Sequence, residues 1–341
     1  MPISRLNRLL LTACLTLFGI SSARAADAPP AAPKKPADNA FFALDPADAG
    51  PDYKIQGEYE GKTGDAKLGA QVIAGGNGTF KVVFEPGGLP GDGSDGKTRI
   101  EVDGKTDGDK TVVGGEGKFS GEIADGKLTG KTDKGDAFEL TRVDRHSPTE
   151  DAKPPEGAIV LFDGTNADAW TNGKMNDKHW LYCGTKSKQK FSDYTLHVEF
   201  YLPFKPFARG QGRANSGVYQ QDRYEVQVLD SFGLKGLNNE CGAIYSHTAP
   251  LVNTCFPPLT WQTYDIDFTA ARYGPDGKKV SNARITEKFN GVLVLDNVEI
   301  VGPTGGGQKE IPADAVQSGV FQLQPHGNPV FFKNIWVVEK K

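Results

Sequence analysis

The sequence predicts an all-β protein, a small β-rich module followed by a β-sandwich of jelly-roll type. Three observations lead there. Glycine (42) and proline (22) are abundant in the 341 residues, and Asp-Gly and Asn-Gly pairs recur, the punctuation of short strands joined by tight turns. Segment after segment alternates apolar and polar residues with the period of two that a half-buried strand requires. Beyond the N-terminus, no long stretch carries apolar residues at helical spacing.

The first 25 residues read as a signal peptide. Arg5 and Arg8 form a positive start, "LLLTACLTLFGI" is an apolar run too short to span a bilayer, and Ala23-Arg24-Ala25 is a cleavage site. The mature chain is therefore expected to be exported, periplasmic or extracellular, with no transmembrane segment. Lipidation at Cys14 is disfavoured, because the apolar run before it has only about five residues against roughly seven to fifteen. Basic and acidic residues number 39 and 43, which leaves no electrostatic case for nucleic acid. Export permits a disulfide. Cys241 and Cys255 are the expected pair, closing a loop around "GAIYSHTAPLVNT" for about 3 kcal/mol. The other possibility is that Cys183, Cys241 and Cys255 are all buried thiols. No spacing suggests structural zinc.

Residues 26–50, rich in Pro and Ala, read as an extended, mobile linker. A β-module is expected over 51–146, with strands at "YKIQGEYEG", "KLGAQVIAGG", "TFKVVFEPG", "KTRIEVDG", "GKFSGEIADG", "KLTGKT" and "AFELTRV". "GDGSDG" (91–96) fits a dinucleotide-binding fingerprint, but a strand pattern follows it where a helix is needed, so these glycines read as turns. A second linker spans 147–157, and the sandwich domain spans 158–341. In "YTLHVEFYL" Tyr194, Leu196, Val198, Phe200 and Leu202 face one way, and in "RYEVQVLD" so do Tyr224, Val226 and Val228. Many such strands without crossover helices imply two antiparallel sheets packed face to face.

The residues opposite those apolar faces carry the functional signal. Glu199 and Tyr201 lie on one strand, Glu225 and Gln227 on another, and Gln322, Gln324 and His326 on a third. If these strands are neighbours, carboxylates, amides and an aromatic ring line one concave surface suited to a sugar. The plain alternative is a solvated sheet face. His326, in "PHGNP", falls where a strand turns, at a rim where loops carry function.

In order along the chain, "IVLFDGTNADAW", "YTLHVEFYLP", "ANSGVYQQDRYEVQVLD", "GAIYSHTAP", "WQTYDIDFTAAR", "FNGVLVLDNVEIVGPT" and "FQLQPHGNPVFFKNIWV" resemble the 3-keto-disaccharide hydrolase domain. The resemblance covers nearly all of 155–340. It implies a concanavalin-like β-sandwich and cleavage of glycosides oxidised to a ketone at C3. It also implies an acidic residue where Pro325 stands. A C3 ketone acidifies the hydrogen on C2. A base removes it, the C1 aglycone leaves, and water adds to the resulting enone. Glu199, Glu225 and His326 are the expected acid–base groups or cation ligands. Asn215, Tyr201, Gln227, Gln322 and Gln324 are the expected sugar contacts. A divalent metal ion is the one cofactor this reading admits, and an oligosaccharide or glycoside is the expected partner. Two alternatives stand beside it. One is a non-catalytic, lectin-like module. The other is an ordinary glycosidase, which needs two carboxylates about 5 to 9.5 Å apart, for which Glu199 and Glu225 are available.

Overall fold

Gly50-Pro51-Asp52 is a helix start, not the lead-in to a strand. The computed structural model, which describes residues 40–311 and 315–341, has a short helix over Pro51–Ile55, with proline in its first turn and Asp52 beside it. Proline there forgoes only an N–H that would have no helical partner. The strand expected from Tyr53 therefore begins at Gly57. The leader 1–25, Cys14 and the linker up to residue 39 lie outside the described residues. Residues 40–50 are packed: Ala43 is buried and exchanges two 3.0 Å backbone hydrogen bonds with Phe204.

Eight antiparallel strands, Gly57–Thr63, Ala66–Gly76, Thr79–Pro86, Ile100–Asp107, Lys110–Gly114, Ser120–Ala124, Lys127–Lys131 and Ala137–Val143, close into a barrel. The last pairs with the first. Side chains fill the interior, as the diameter of eight strands allows. Tyr59, Phe84 and Leu140 are fully buried, and Phe84 packs its ring 4.8 Å from Phe119 and 5.2 Å from Phe138. The "GDGSDG" glycines fall between Thr79–Pro86 and Ile100–Asp107, flanked by strands on both sides. The strand Lys110–Gly114, whose Thr111 and Val113 are buried, is absent from the sequence reading.

The C-terminal residues build two further antiparallel sheets. One orders its five strands Trp170–Thr171, Thr185–Ser187, Gln322–Leu323, Ser216–Gln220 and Tyr224–Val228. The other has seven strands. Its central members are Phe331–Glu339, Tyr194–Tyr201, Trp261–Thr269 and Ala283–Phe289. Leu196, Val198 and Phe200 of the seven-stranded sheet share one core with Val218, Val226 and Leu323 of the five-stranded sheet. Burying these faces is the main drive for the two sheets to associate. No helix among the described residues is long and apolar enough to cross a membrane.

This arrangement corrects the expectation that one surface gathers all the polar candidates. Glu199 and Tyr201 belong to the seven-stranded sheet, whereas Glu225, Gln227 and Gln322 belong to the five-stranded one. The shared core separates the two outward faces. The glycosidase pairing of Glu199 with Glu225 across one bond is therefore not available. Tyr201 is no sugar platform either. Its ring packs 4.9 Å from Trp180 and 5.2 Å from Trp261, in the apolar joint with the barrel.

Glu199 instead anchors the segment expected to be a linker. Its Oε1 accepts hydrogen bonds from the Asp151 backbone N–H (2.6 Å) and the Asn334 amide (2.7 Å), and Lys333 lies 3.3 Å from Oε2. His197 bridges Asp265 (2.6 Å) and Glu199 (3.2 Å) and stacks on Trp336. Burial alone would lower the pKa of this ring, but the two carboxylates outweigh it and raise the value. A raised folded pKa means that the bound proton stabilises the fold. That contribution is complete below the ordinary histidine value of about 6.5 and is lost as pH rises through the folded value. The melting temperature is thus expected to fall on alkalinisation, and to fall less in His197→Gln. Identical pH profiles of the two melting curves would contradict this.

The expected disulfide is also corrected. Cys241 and Cys255 are free thiols, both buried. The two thiols are neighbours, and each sulfur also has another partner. The Cys241 thiol lies 3.0 Å from the Tyr264 hydroxyl, and the Cys255 thiol faces the Phe256 carbonyl at 3.5 Å. Burial, with Cys241 as neighbour, pushes the Cys255 thiol well up, which keeps it protonated and inert.

Candidate active site

On the strand Tyr224–Val228, Tyr224, Val226 and Val228 enter the core, so alternation turns Glu225 and Gln227 to the outer face. Across the sheet Glu225 pairs with Tyr219, Gln227 with Gly217, and Tyr219 with Gln322. Directly paired residues share a face. The Gln324 backbone N–H bonds the Gly217 carbonyl at 2.9 Å. The five-stranded sheet therefore brings together Glu225, Gln227, Gln322 and Gln324, four of the residues singled out in the sequence.

Glu225 is the chemical centre of this group. The Tyr219 hydroxyl is 2.8 Å from Oε2, and the Gln227 amide, turned so that its nitrogen faces the carboxyl, donates to Oε1 at 3.1 Å and to the Ser216 carbonyl at 2.9 Å. Gly217 makes room: a Cβ there would lie 2.5 Å from Glu225 Oε1. Glu225 is only 3% exposed, because two loops fold over the sheet. Thr304 Oγ1 accepts from the Glu225 backbone N–H at 2.9 Å, and the Tyr245 N–H donates to the Glu225 carbonyl at 3.1 Å. Burial pushes the Glu225 carboxyl up to about 7, against the opposing pull of the Tyr219 hydrogen bond.

The Tyr219 hydroxyl has one proton and two acceptors in reach, Glu225 at 2.8 Å and the Gly305 carbonyl at 3.0 Å. With Glu225 protonated, its acid proton points to the tyrosine oxygen and the tyrosine donates to Gly305. With Glu225 ionised, the tyrosine donates to the carboxylate instead. Tyr219→Phe removes the interaction that favours the anion. The ionisation of Glu225 is then expected to move to higher pH, read from the acid limb of a pH–rate profile. An unmoved limb would contradict the assignment.

Around this carboxyl stand unsatisfied acceptors. The Asn215 amide contacts Gln211 at 2.8 Å, but its oxygen, in a residue only 3% exposed, has no partner. The Gln324 amide nitrogen donates to Tyr219 at 3.2 Å, and its oxygen is likewise unpaired. A buried acceptor without a donor costs about 1–3 kcal/mol, and ligand hydroxyls would relieve it. His326 lies on the exposed turn just beyond Gln324, and its side chain makes no hydrogen bond or ion pair among the described residues. Pro325 packs near Gly184. No group of three His, Cys, Asp or Glu among the described residues converges as a metal site. The sequence reading missed Tyr219, although its alternation with Val218 carries the same signal as that of Glu225. It also missed Gln211, which sits in an irregular loop and gives none.

Glu225 thus lies buried on the outer face of the five-stranded sheet, with the amides of Gln227, Gln324 and Asn215 in its surroundings. A family model described as a 3-keto-alpha-glucoside-1,2-lyase-like domain matches residues 157–338, more than half of the chain, and the chain belongs to that family. The barrel lies outside the match. Among solved structures, three described as candidate glycosyl hydrolases from Parabacteroides distasonis ATCC 8503 are similar. The first is 33% identical and covers 55% of this chain and 85% of its own, with a TM-score of 0.49. The others are 16% and 19% identical, cover 55% and 54% of this chain and 95% and 99% of theirs, and have TM-scores of 0.38 and 0.37. No curated protein matches the sequence.

Proposed function

We propose that this chain is an exported enzyme that cleaves 3-keto-glycosides by elimination and hydration, on a concanavalin-like sandwich, with Glu225 as the base. The observation that carries the reading is a carboxyl poised at about pH 7 beside unsatisfied amide acceptors, within a domain of this family. A base acts best when its pKa lies near the working pH. Ionised Glu225 takes the proton from C2. The electron pair forms the C1–C2 double bond and the C1 oxygen leaves with the aglycone. Water then adds at C1. The proton taken from C2 is available on Glu225 for the departing oxygen, and His326 at the rim is the second candidate donor. Gln227, Gln322, Gln324 and Asn215 would orient sugar hydroxyls. Because Glu225 is covered, the 302–307 segment, which contains Gly302, Gly305, Gly306 and Gly307, would lift to admit substrate.

The test is incubation with a 3-keto-glucoside and with its unoxidised parent, following released sugar. Cleavage of the keto-sugar alone is the expected result. Equal cleavage of both would overturn the elimination mechanism, and binding without cleavage of either would favour a lectin-like module.

A further inference from the structure

A cavity of about 620 Å³ lies between the barrel and the two-sheet part. Its walls are tied together by reciprocal arginine–carbonyl bonds. Arg99 of the barrel donates to Gly233 (2.6 Å) and Leu234 (3.1 Å), and Arg209 donates back to Gly75 (3.1 Å). Beneath it Ile73 and Val83 of the barrel pack on Phe232.

The cavity is lined by Lys81, Arg99, Arg209, Arg213 and Lys235 and by the carboxylates Glu101, Asp103 and Glu240, and several donors of the cations lack a carboxylate partner. Lys81 is paired with Asp103 at 2.7 Å. Glu240 is occupied by the Gly236 and Leu237 backbone N–H groups at 2.6 and 3.0 Å. Arg213, only 5% exposed, reaches Asp230 through Nε at 2.7 Å, but its Nη2 has no partner. Arg99 pairs with Glu85 at 3.3 Å and with Glu101 at 3.7 Å, and its buried Nε has no partner. Arg209 bonds only carbonyl oxygens, and Lys235 makes no ion pair among the described residues. Buried guanidinium N–H groups without acceptors are costly, and the oxygens of a bound oxyanion would supply the missing acceptors. The chain's formal net charge of −4 and the size of the cavity point to a small ligand, not a polyanion.

We propose that this cleft binds a small oxyanion, the carboxylate or phosphate of an acidic sugar or metabolite, through Arg209, Arg213 and Lys235. Arginine suits such a ligand because its planar donors match the geometry of carboxylate and phosphate oxygens. The loop that supplies Arg209 and Arg213 also supplies Gln211, which contacts Gln227 and Asn215 of the candidate active site. The cleft and that site thus draw on one loop, although the proposal does not depend on any catalysis there.

Titration calorimetry of the full chain at low ionic strength tests it, with inorganic phosphate and glucuronate as separate probes. Saturable binding of at least one is expected, weakened about tenfold or more in Arg209→Gln and in Lys235→Ala, two substitutions that leave the Arg213–Asp230 pair intact. Binding of glucuronate alone would assign the site to a sugar carboxylate, and binding of phosphate alone to a phosphorylated ligand. Failure of both probes to bind the unaltered chain, or binding undiminished in both variants, would overturn the proposal. None of these outcomes depends on whether 3-keto-glycosides are cleaved.

Discussion

Glu225→Gln is expected to lower turnover of a 3-keto-glucoside by about 10²- to 10⁴-fold, the usual contribution of a positioned base. The substitution is gentle on the fold. Glutamine resembles the protonated carboxyl that burial already favours, and it fills the space that Gly217 leaves open. The unaltered enzyme should show an acid limb in kcat/KM with its midpoint near 7, activity rising as the base ionises. The stability term has the opposite sense. A carboxyl whose folded pKa is raised stabilises the fold below its unfolded value of about 4.3, and this is lost as pH rises through about 7. Activity at Glu225 is therefore gained over the same pH interval in which its contribution to stability is given up. An E225Q enzyme that keeps both its rate and its acid limb would remove Glu225 from the chemistry.

Glu199→Ala is expected to act on stability and not on the chemical step. Its carboxylate is fully buried and joins Asp151, Asn334, His197 and Lys333. Breaking a buried network of this kind from one side costs about 3–5 kcal/mol. Urea unfolding should show that loss, together with release of the 147–153 segment to proteolysis. The surviving folded fraction should retain its kcat. A large fall in kcat without loss of stability would return Glu199 to the active site.

The two glutamates show how far the sequence can be read. Glu199 sits between Val198 and Phe200, and Glu225 between Tyr224 and Val226, so alternation reveals that both face away from a core. Alternation does not say which sheet a strand joins. That depends on long-range pairing, Tyr194–Tyr201 with Trp261–Thr269 and Tyr224–Val228 with Ser216–Gln220. The all-β class and the family were legible because each rests on local pattern repeated many times. The joint that buries Tyr201 was not, since it needs the barrel's position. Nor was the anchoring of 147–153. "SPTEDAKPP" has a linker's composition, and only the structure puts Ser147 2.6 Å from Thr263 and Thr149 2.7 Å from Asp265. At Cys241 and Cys255, export and spacing favoured a bridge, but neither records the tyrosine and carbonyl partners that the core supplies.

The central claim is that Glu225 removes the proton from C2 of a 3-keto sugar. It is tested most directly by incubating a 3-keto-glucoside with the protein in deuterium oxide and following C2 by NMR. The expected result is deuterium at C2 of the released 3-keto-glucose, formed at least about 10²-fold more slowly by Glu225→Gln. Released sugar that retains its original C2 hydrogen, or labelling at an unchanged rate in the variant, would contradict it.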